Sequence, residues 1–141
     1  MHTDPKDIHY EDVSIGDVYT FKHIFSYQDL KNFSKLTGDE NPLHLNQKFA
    51  VNSGFKSNVV YGMLSASLFS RLIGMHCPGK NALYISQTID FRNPIYPNQE
   101  LKISGTILNK YDKFRMIKLK TEILNRETIC VSGIAKARFN L

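Results

Sequence analysis

Residues 38–46, Gly-Asp-Glu-Asn-Pro-Leu-His-Leu-Asn, concentrate the side chains best suited to chemistry in this chain. Asp39 and His44 lie five residues apart across an Asn-Pro turn. Such a turn can bring both side chains to one side of a loop, where they can share a water molecule. A carboxylate beside an imidazole suits general acid/base catalysis, because burial and the charge of each group on the other can tune both pKa values toward neutral pH. The pair is therefore the candidate catalytic centre.

On spacing alone, the same two residues also have a structural interpretation. Asp39 can serve as a turn residue after a helix, and His44 as a surface or core histidine. The other histidines have no spacing typical of metal ligands, so no metal site is expected; they are His2, His9, His23 and His76.

The elements around this segment have clear signals. Residues 18–25 are rich in β-branched and aromatic side chains, which predicts a strand. Ser26 followed by Asp29 predicts the start of a helix that ends near Thr37-Gly38. Residues 38–46 then form an ordered loop, and the nearly uncharged residues 59–75 predict a long, buried helix.

Strand-like stretches fill the second half of the chain. Apolar and polar residues alternate within them, and short turns at residues 109–113 and 125–127 join them; the stretches are residues 83–91, 100–109, 114–124 and 128–139. The order of elements predicts an α+β fold, in which an antiparallel sheet wraps one central helix.

Composition limits the classes of function. A chain of 141 residues suits one domain, taken as residues 11–141 after a loosely held arm of residues 1–10. The net charge of +5 is scattered, which favours anionic ligands or acidic partners over nucleic acid. We found neither a long apolar run nor a signal peptide, so a cytoplasmic protein with no membrane span is expected.

The segment Gly-Asp-x-Asn-Pro-Leu-His resembles the hydratase 2 motif of MaoC-like dehydratases and (R)-specific enoyl-CoA hydratases, which have hot-dog folds. The resemblance extends to the C-terminus. Residues 61–70 are similar to the family's central helix, and the following strand is matched by Pro78-Gly79-Lys80, Gln87 and Phe91. A match in several parts is more specific than one short motif.

The resemblance implies a mechanism in which Asp39, as the main base, and His44 activate a water that adds to C3 of an enoyl thioester. Asn41 would shape the catalytic loop, which overhangs the sheet. The N–H of Gly62, at the helix start, would bind the thioester oxygen, although Gly62 also suits close helix packing.

Two further positions follow from the same resemblance. Ser70 and Ile73 match residues that line the acyl pocket, although a serine on a helix is as often a packing residue. Tyr61 stands where the family usually has His, a change that can alter thioester positioning or substrate choice.

The resemblance therefore implies an (R)-specific 2-enoyl-CoA hydratase, without metal or redox cofactor, that forms a homodimer by joining sheets edge to edge. Two alternatives remain open: a 3-hydroxyacyl-acyl-carrier-protein dehydratase, and a non-catalytic acyl-thioester-binding module or helper subunit. A thioesterase is disfavoured, because this Asn-Pro-x-His segment is not part of such enzymes.

Overall fold

A six-stranded antiparallel sheet is the largest element of the computed structural model, which describes residues 3–140. The strands are β1 (Val18–Ile24), β2 (Ala82–Gln87), β3 (Asp90–Phe91), β4 (Glu100–Tyr111), β5 (Met116–Asn125) and β6 (Thr128–Phe139). Their order is β1-β4-β5-β6-β2, and β3 also pairs with β6. The predicted stretch 83–91 is divided into β2 and β3 at residues 88–89, where the Ile134 N–H donates to the side-chain hydroxyl of Thr88 instead of to a backbone carbonyl. A separate register shift with β6 lies within β2, between Tyr84 and Ser86.

The inner face of the sheet forms the core. Alternate residues of β4 point inward and are buried, among them Leu101, Ile103 and Ile107. Gly105 lies between them, and a Cβ there would be 2.8 Å from a methyl carbon of Leu72. The sheet therefore approaches the helix closely at a position where only glycine fits without a shift.

The first helix, α1 (Tyr27–Thr37), begins and ends as the sequence predicts. Ser26 and Asp29 form a reciprocal capping box, and Gly38 ends the helix in the left-handed conformation with φ 78°. The segment predicted as an ordered loop, residues 38–46, contains one short helix, α2 (Pro42–Leu45), and a second short helix, α3 (Gln47–Asn52), follows it directly. Asparagine side chains cap both of them, and proline begins α2.

The central helix covers residues 62–76 rather than 59–75. It consists of α4 (Gly62–Ala66), α5 (Leu68–Arg71) and a final π-helical turn (Leu72–His76). Its buried side includes Phe69 and Leu72, both fully enclosed. The preceding Val60 instead donates its N–H to the carbonyl of Ile95 at 2.8 Å, an extended arrangement that suits a β-branched residue.

No helix within residues 3–140 is both long and apolar enough to cross a membrane.

The N-terminal arm differs from the loosely held segment predicted for residues 1–10. Lys6 exchanges backbone hydrogen bonds with Met75 (3.0 Å) and Lys80 (2.9 Å), and Asp7 lies 2.9 Å from the Lys80 ammonium. A Cβ at Gly79 would be 2.0 Å from the carbonyl oxygen of Lys6, so this glycine permits the close approach. Residues 6–10 are thus attached to the domain; Met1 and His2 lie outside the described residues.

Candidate active site

A cavity of about 510 Å³ lies where the loop after α1 meets the start of the central helix. It contains three of the predicted site residues, Asp39, His44 and Gly62. Its other walls are largely apolar and come from α1, residues 55–60, residues 91–95 and β6. Within residues 3–140 there is no cluster of three His, Cys, Asp or Glu side chains that could hold a metal ion.

Asp39 is positioned by a chain of local hydrogen bonds. Its N–H donates to the Thr37 hydroxyl at 3.2 Å, and its carboxylate oxygen Oδ1 accepts from the Asn41 N–H at 3.1 Å. The Asn41 side chain in turn accepts from the Leu43 N–H at 3.0 Å, which caps α2. These contacts are local to the loop, and they keep the exposed Asp39 carboxylate at the cavity. The loop-shaping role of Asn41 stays a prediction.

His44 is held through one ring nitrogen. Its Nδ1 lies 2.6 Å from the carbonyl oxygen of Val59. Because a carbonyl only accepts, Nδ1 carries the proton in the neutral ring, and Nε2 is the nitrogen left to accept one. Asn58 donates its side-chain amide to the His44 carbonyl at 3.1 Å, so backbone and ring are both anchored to the same segment.

Tyr61 links the two predicted catalytic residues. Its ring stacks on His44 with centroids 3.9 Å apart, and its hydroxyl donates to the carbonyl oxygen of Asp39 at 2.6 Å. The side chain is 2% exposed, and removal from water raises the pKa of Tyr61, with a smaller contribution from the charge of Asp39. The phenol therefore stays protonated as a donor. The sequence identified Tyr61 as a departure from the family pattern but did not give these contacts.

Gly62 is the first residue of the central helix and lines the cavity. The first N–H groups of a helix have no partner one turn earlier, and the Tyr61 side chain does not cap this helix. A Cβ at Gly62 would be 2.8 Å from the Phe91 ring, so that ring covers the glycine closely. The geometry leaves a backbone donor beside Asp39 and His44.

Ser70 and Ile73 lie apart from this cavity in the single chain. Ser70 is exposed, and Ile73 is buried in a separate cluster with Ile107 and Ile117. Both positions are two or more helical turns beyond Gly62, whereas the cavity surrounds the beginning of the helix. Their assignment to the acyl pocket stays a prediction that these contacts do not support.

The apolar walls of the cavity were not identified from the sequence. Phe55, Ile95 and Val131 come from three segments far apart in the chain, and no local pattern marks them as neighbours. Only the folded topology brings them beside the catalytic loop.

Comparison with known proteins assigns the family. Residues 12–128 match the family model described as a MaoC like domain, which is well over half of the chain. The chain belongs to the MaoC-like domain family. Its relatives are named as hydratases or dehydratases, so this MaoC-like domain is a hydro-lyase.

Two relatives cover most of this MaoC-like domain. The mitochondrial 3-hydroxyacyl-[acyl-carrier-protein] dehydratase of Arabidopsis thaliana is 33% identical over 89% of the chain and 76% of the relative. An (R)-specific enoyl-CoA hydratase of Rhodospirillum rubrum is 27% identical over 96% of the chain and 94% of the relative.

The solved structures agree on the fold. The (R)-hydratase of Aeromonas caviae superposes with a TM-score of 0.88, at 29% identity, over 92% of this chain and 98% of that structure. The R-hydratase of Pseudomonas aeruginosa also gives a TM-score of 0.88, at 28% identity, over 94% and 86% of the two chains. The predicted hot-dog fold is confirmed.

Proposed function

We propose that this MaoC-like domain adds water to 2-enoyl-CoA, giving (R)-3-hydroxyacyl-CoA, and catalyses the reverse dehydration. The observation that carries the proposal is the single cavity that contains Asp39, His44 and the unpaired helix-start N–H of Gly62. The similarity to (R)-specific enoyl-CoA hydratases over most of both chains supports the same reaction.

The geometry supports a division of roles. Water is held between the Asp39 carboxylate and Nε2 of His44, whose Nδ1 is occupied by Val59. Asp39 takes a proton from the water as its oxygen bonds to C3 of the enoyl group. The electron pair of the double bond moves through C2 to the thioester oxygen, where the Gly62 N–H stabilises the negative charge of the enolate. The proton that Asp39 took from the water then passes to C2, which restores the thioester carbonyl and the Asp39 carboxylate.

The apolar walls of the same cavity suit the acyl chain. Val60, Ile95 and Val131 are buried hydrophobic residues that border it. Apolar walls with a few convergent polar groups are typical of small-molecule sites. Hydrophobic contacts would therefore hold the acyl chain of the substrate, while the polar groups of the cavity position its thioester.

A carrier protein in place of CoA is the second candidate. The plant relatives named as 3-hydroxyacyl-[acyl-carrier-protein] dehydratases match 89% of the chain, and the net charge of +5 suits an acidic partner. The chemistry at Asp39 and His44 would be unchanged. A purely binding module is disfavoured, because it would have no need of an acid/base pair.

We also propose a homodimer formed through the β2–β3 edge of the sheet. Leu83, Ile85 and Phe91 are large apolar residues on these strands, and each is about half exposed. Exposed edge strands with apolar side chains favour pairing with another chain. Sedimentation velocity should give a dimer, and a species that stays monomeric at micromolar concentration would contradict this.

Turnover of two crotonyl thioesters tests the proposed reaction. The loss of enoyl ultraviolet absorbance is followed with crotonyl-CoA and with crotonyl-acyl-carrier protein, and the product is resolved by chiral chromatography. We expect the (R)-product from crotonyl-CoA. Turnover confined to the carrier protein would favour the second candidate, and no turnover with either thioester would contradict both.

A further inference from the structure

A second cavity, of about 770 Å³, lies at the end of the sheet where β4 begins and β5 turns into β6. Four cationic side chains border it: Lys22, Lys56, Lys102 and Arg126. Glu100 is the single carboxylate among its lining residues. The described lining therefore has a local excess of three positive charges, which is the complement of an anionic ligand.

The ion pairing at this cavity leaves most of that charge free. Glu100 pairs with Lys22 at 3.1 Å. Lys56, Lys102 and Arg126 make no ion pair with any residue in the described range 3–140. Lys22 also lies directly opposite Lys102 on neighbouring antiparallel strands. Like charges in that relationship destabilise a sheet, and a bound anion would remove the repulsion.

Arg126 occupies a backbone position that favours glycine. It lies in the tight turn between β5 and β6 with φ 55°, a left-handed conformation that is uncommon for a long side chain. A guanidinium is thus present at the rim of the cavity despite an unfavourable backbone conformation. Its planar donors suit phosphate oxygens.

The cationic cavity adjoins the active-site cavity through shared segments. Phe55 borders the active-site cavity and the next residue, Lys56, borders the cationic one. The Lys56 N–H donates to the Tyr96 hydroxyl at 3.2 Å, which fixes this boundary. On β6, Val131 borders the active-site cavity, and Thr128, three residues earlier, borders the cationic cavity.

We propose that the cationic cavity binds the phosphate groups of CoA, while the thioester lies in the active-site cavity. This inference rests on the proposed function, because it takes a CoA thioester as the substrate. Lys56, Lys102 and Arg126 are then specificity-determining residues for the carrier. They contact the phosphorylated end of CoA and take no part in the addition of water.

A truncated substrate isolates this contribution. Crotonyl-CoA is compared with the N-acetylcysteamine thioester of crotonic acid, which keeps the enoyl thioester and has no phosphate. The triple variant Lys56→Gln/Lys102→Gln/Arg126→Gln should raise the KM for crotonyl-CoA about tenfold and leave its kcat within about twofold. Its kinetics with the truncated thioester should stay those of the unmodified chain.

A matched control is available on the same sheet. Lys118 and Lys136 also lie directly opposite each other on neighbouring strands, but neither borders the cationic cavity. The double variant Lys118→Gln/Lys136→Gln should leave the KM for crotonyl-CoA unchanged. An equal rise in this control would show a general charge effect, and an equal rise with the truncated thioester would show damage to the active site; either result overturns the inference.

Direct binding separates this inference from the proposed function. Titration calorimetry with adenosine 3′,5′-bisphosphate should show binding that the triple variant loses. If the chain hydrates neither thioester but binds the bisphosphate through these cations, the proposed function fails and the phosphate site stands. If it hydrates crotonyl-CoA with the same KM in the triple variant, the phosphate site fails alone. A KM increase confined to the acyl-carrier-protein substrate would also overturn the assignment to CoA.

Discussion

The rings of His44 and Tyr61 are stacked, with their centroids 3.9 Å apart and their planes inclined by 26°. The hydroxyl of the same tyrosine donates to the backbone carbonyl of Asp39 at 2.6 Å. One buried side chain therefore contacts both members of the proposed acid/base pair. We therefore expect the relative position of Asp39 and His44 to depend on Tyr61 in addition to the hydrogen bonds that hold each residue separately.

Removing the Tyr61 hydroxyl tests this dependence. Tyr61→Phe keeps the stacked ring but loses the hydrogen bond to Asp39, so kcat should fall about tenfold while KM changes less than about twofold. Tyr61→Leu also loses the stacking and should lower kcat about a hundredfold. Steady-state kinetics on crotonyl-CoA measures both effects.

Tyr10 provides the control for this series. Its hydroxyl donates to Asp112 at the same distance of 2.6 Å, its side chain is also buried, and it does not border the active-site cavity. Tyr10→Phe should cost about 1 kcal/mol of unfolding free energy and leave kcat unchanged. Equal kcat values for Tyr61→Phe and Tyr10→Phe would contradict a positioning role for Tyr61.

Gly62→Ala tests the contact between the helix start and Phe91. The new methyl group would lie 2.8 Å from the Phe91 ring, which is half exposed and can move aside. We expect the unfolding free energy to change by less than about 1 kcal/mol. The KM for crotonyl-CoA should rise about fivefold, because the Phe91 ring shifts within the cavity.

Gly74→Ala is the matched control, because among residues 3–140 no atom other than those of the chain neighbours and the helix backbone lies within 4 Å of a Cβ at that position. It should leave KM unchanged. The contact with Phe91 would have no functional meaning if Gly62→Ala gave the same KM as Gly74→Ala.

Stability should depend on pH through two histidines. Burial lowers the pKa of His23 and of His76. The positive charge of Arg71 is a smaller cause at His23, and the charges of Lys6 and then Arg71 are smaller causes at His76. A lowered folded pKa means that the unfolded chain takes up protons first as the pH falls. The unfolding free energy should therefore decrease from about pH 7 downward through the unfolded histidine pKa of about 6.5.

Urea denaturation at a series of pH values measures this loss. The double variant His23→Gln/His76→Gln should show a flatter dependence between about pH 7 and about pH 5. Curves of identical slope for the variant and the unmodified chain would exclude these histidines as the cause.

Leu72→Ala tests the packing of the helix against the sheet. Leu72 is fully buried, and its methyl groups lie where a Cβ of Gly105 would be. The lost contacts and the cavity should lower the unfolding free energy by about 2–5 kcal/mol. Leu36→Ala, at a residue that is 84% exposed, should change it by less than about 0.5 kcal/mol, and equal effects would contradict the assigned core.

The sequence predicts this fold well where signals are local. Ser26, Asp29 and Gly38 determine the ends of α1 through contacts within a few residues, and these ends are as expected. The central helix begins three residues later than predicted, because Val59 and Val60 bond to other segments and apolar composition alone does not distinguish a helix from a buried extended run.

The features that the sequence did not predict depend on long-range contacts. The attachment of Lys6 to Gly79, and the meeting of Phe55, Ile95 and Val131 in one cavity, depend on segments far apart in the chain. Asp39 and His44, which the motif pairs, both border one cavity, and their catalytic roles stay a prediction. The motif did not provide the contacts of Tyr61, since a residue's partners follow from topology rather than from its type.

The most direct test of the proposed mechanism is the rate of hydration of crotonyl-CoA by Asp39→Asn, measured beside Glu40→Gln. Glu40 is the neighbouring exposed carboxylate and does not border the cavity. Asp39→Asn should lower kcat by a factor of about 10³ with crotonyl-CoA binding retained, and Glu40→Gln should leave kcat within about twofold. An Asp39→Asn protein that hydrates crotonyl-CoA as fast as Glu40→Gln would contradict the assignment of Asp39 as the catalytic base.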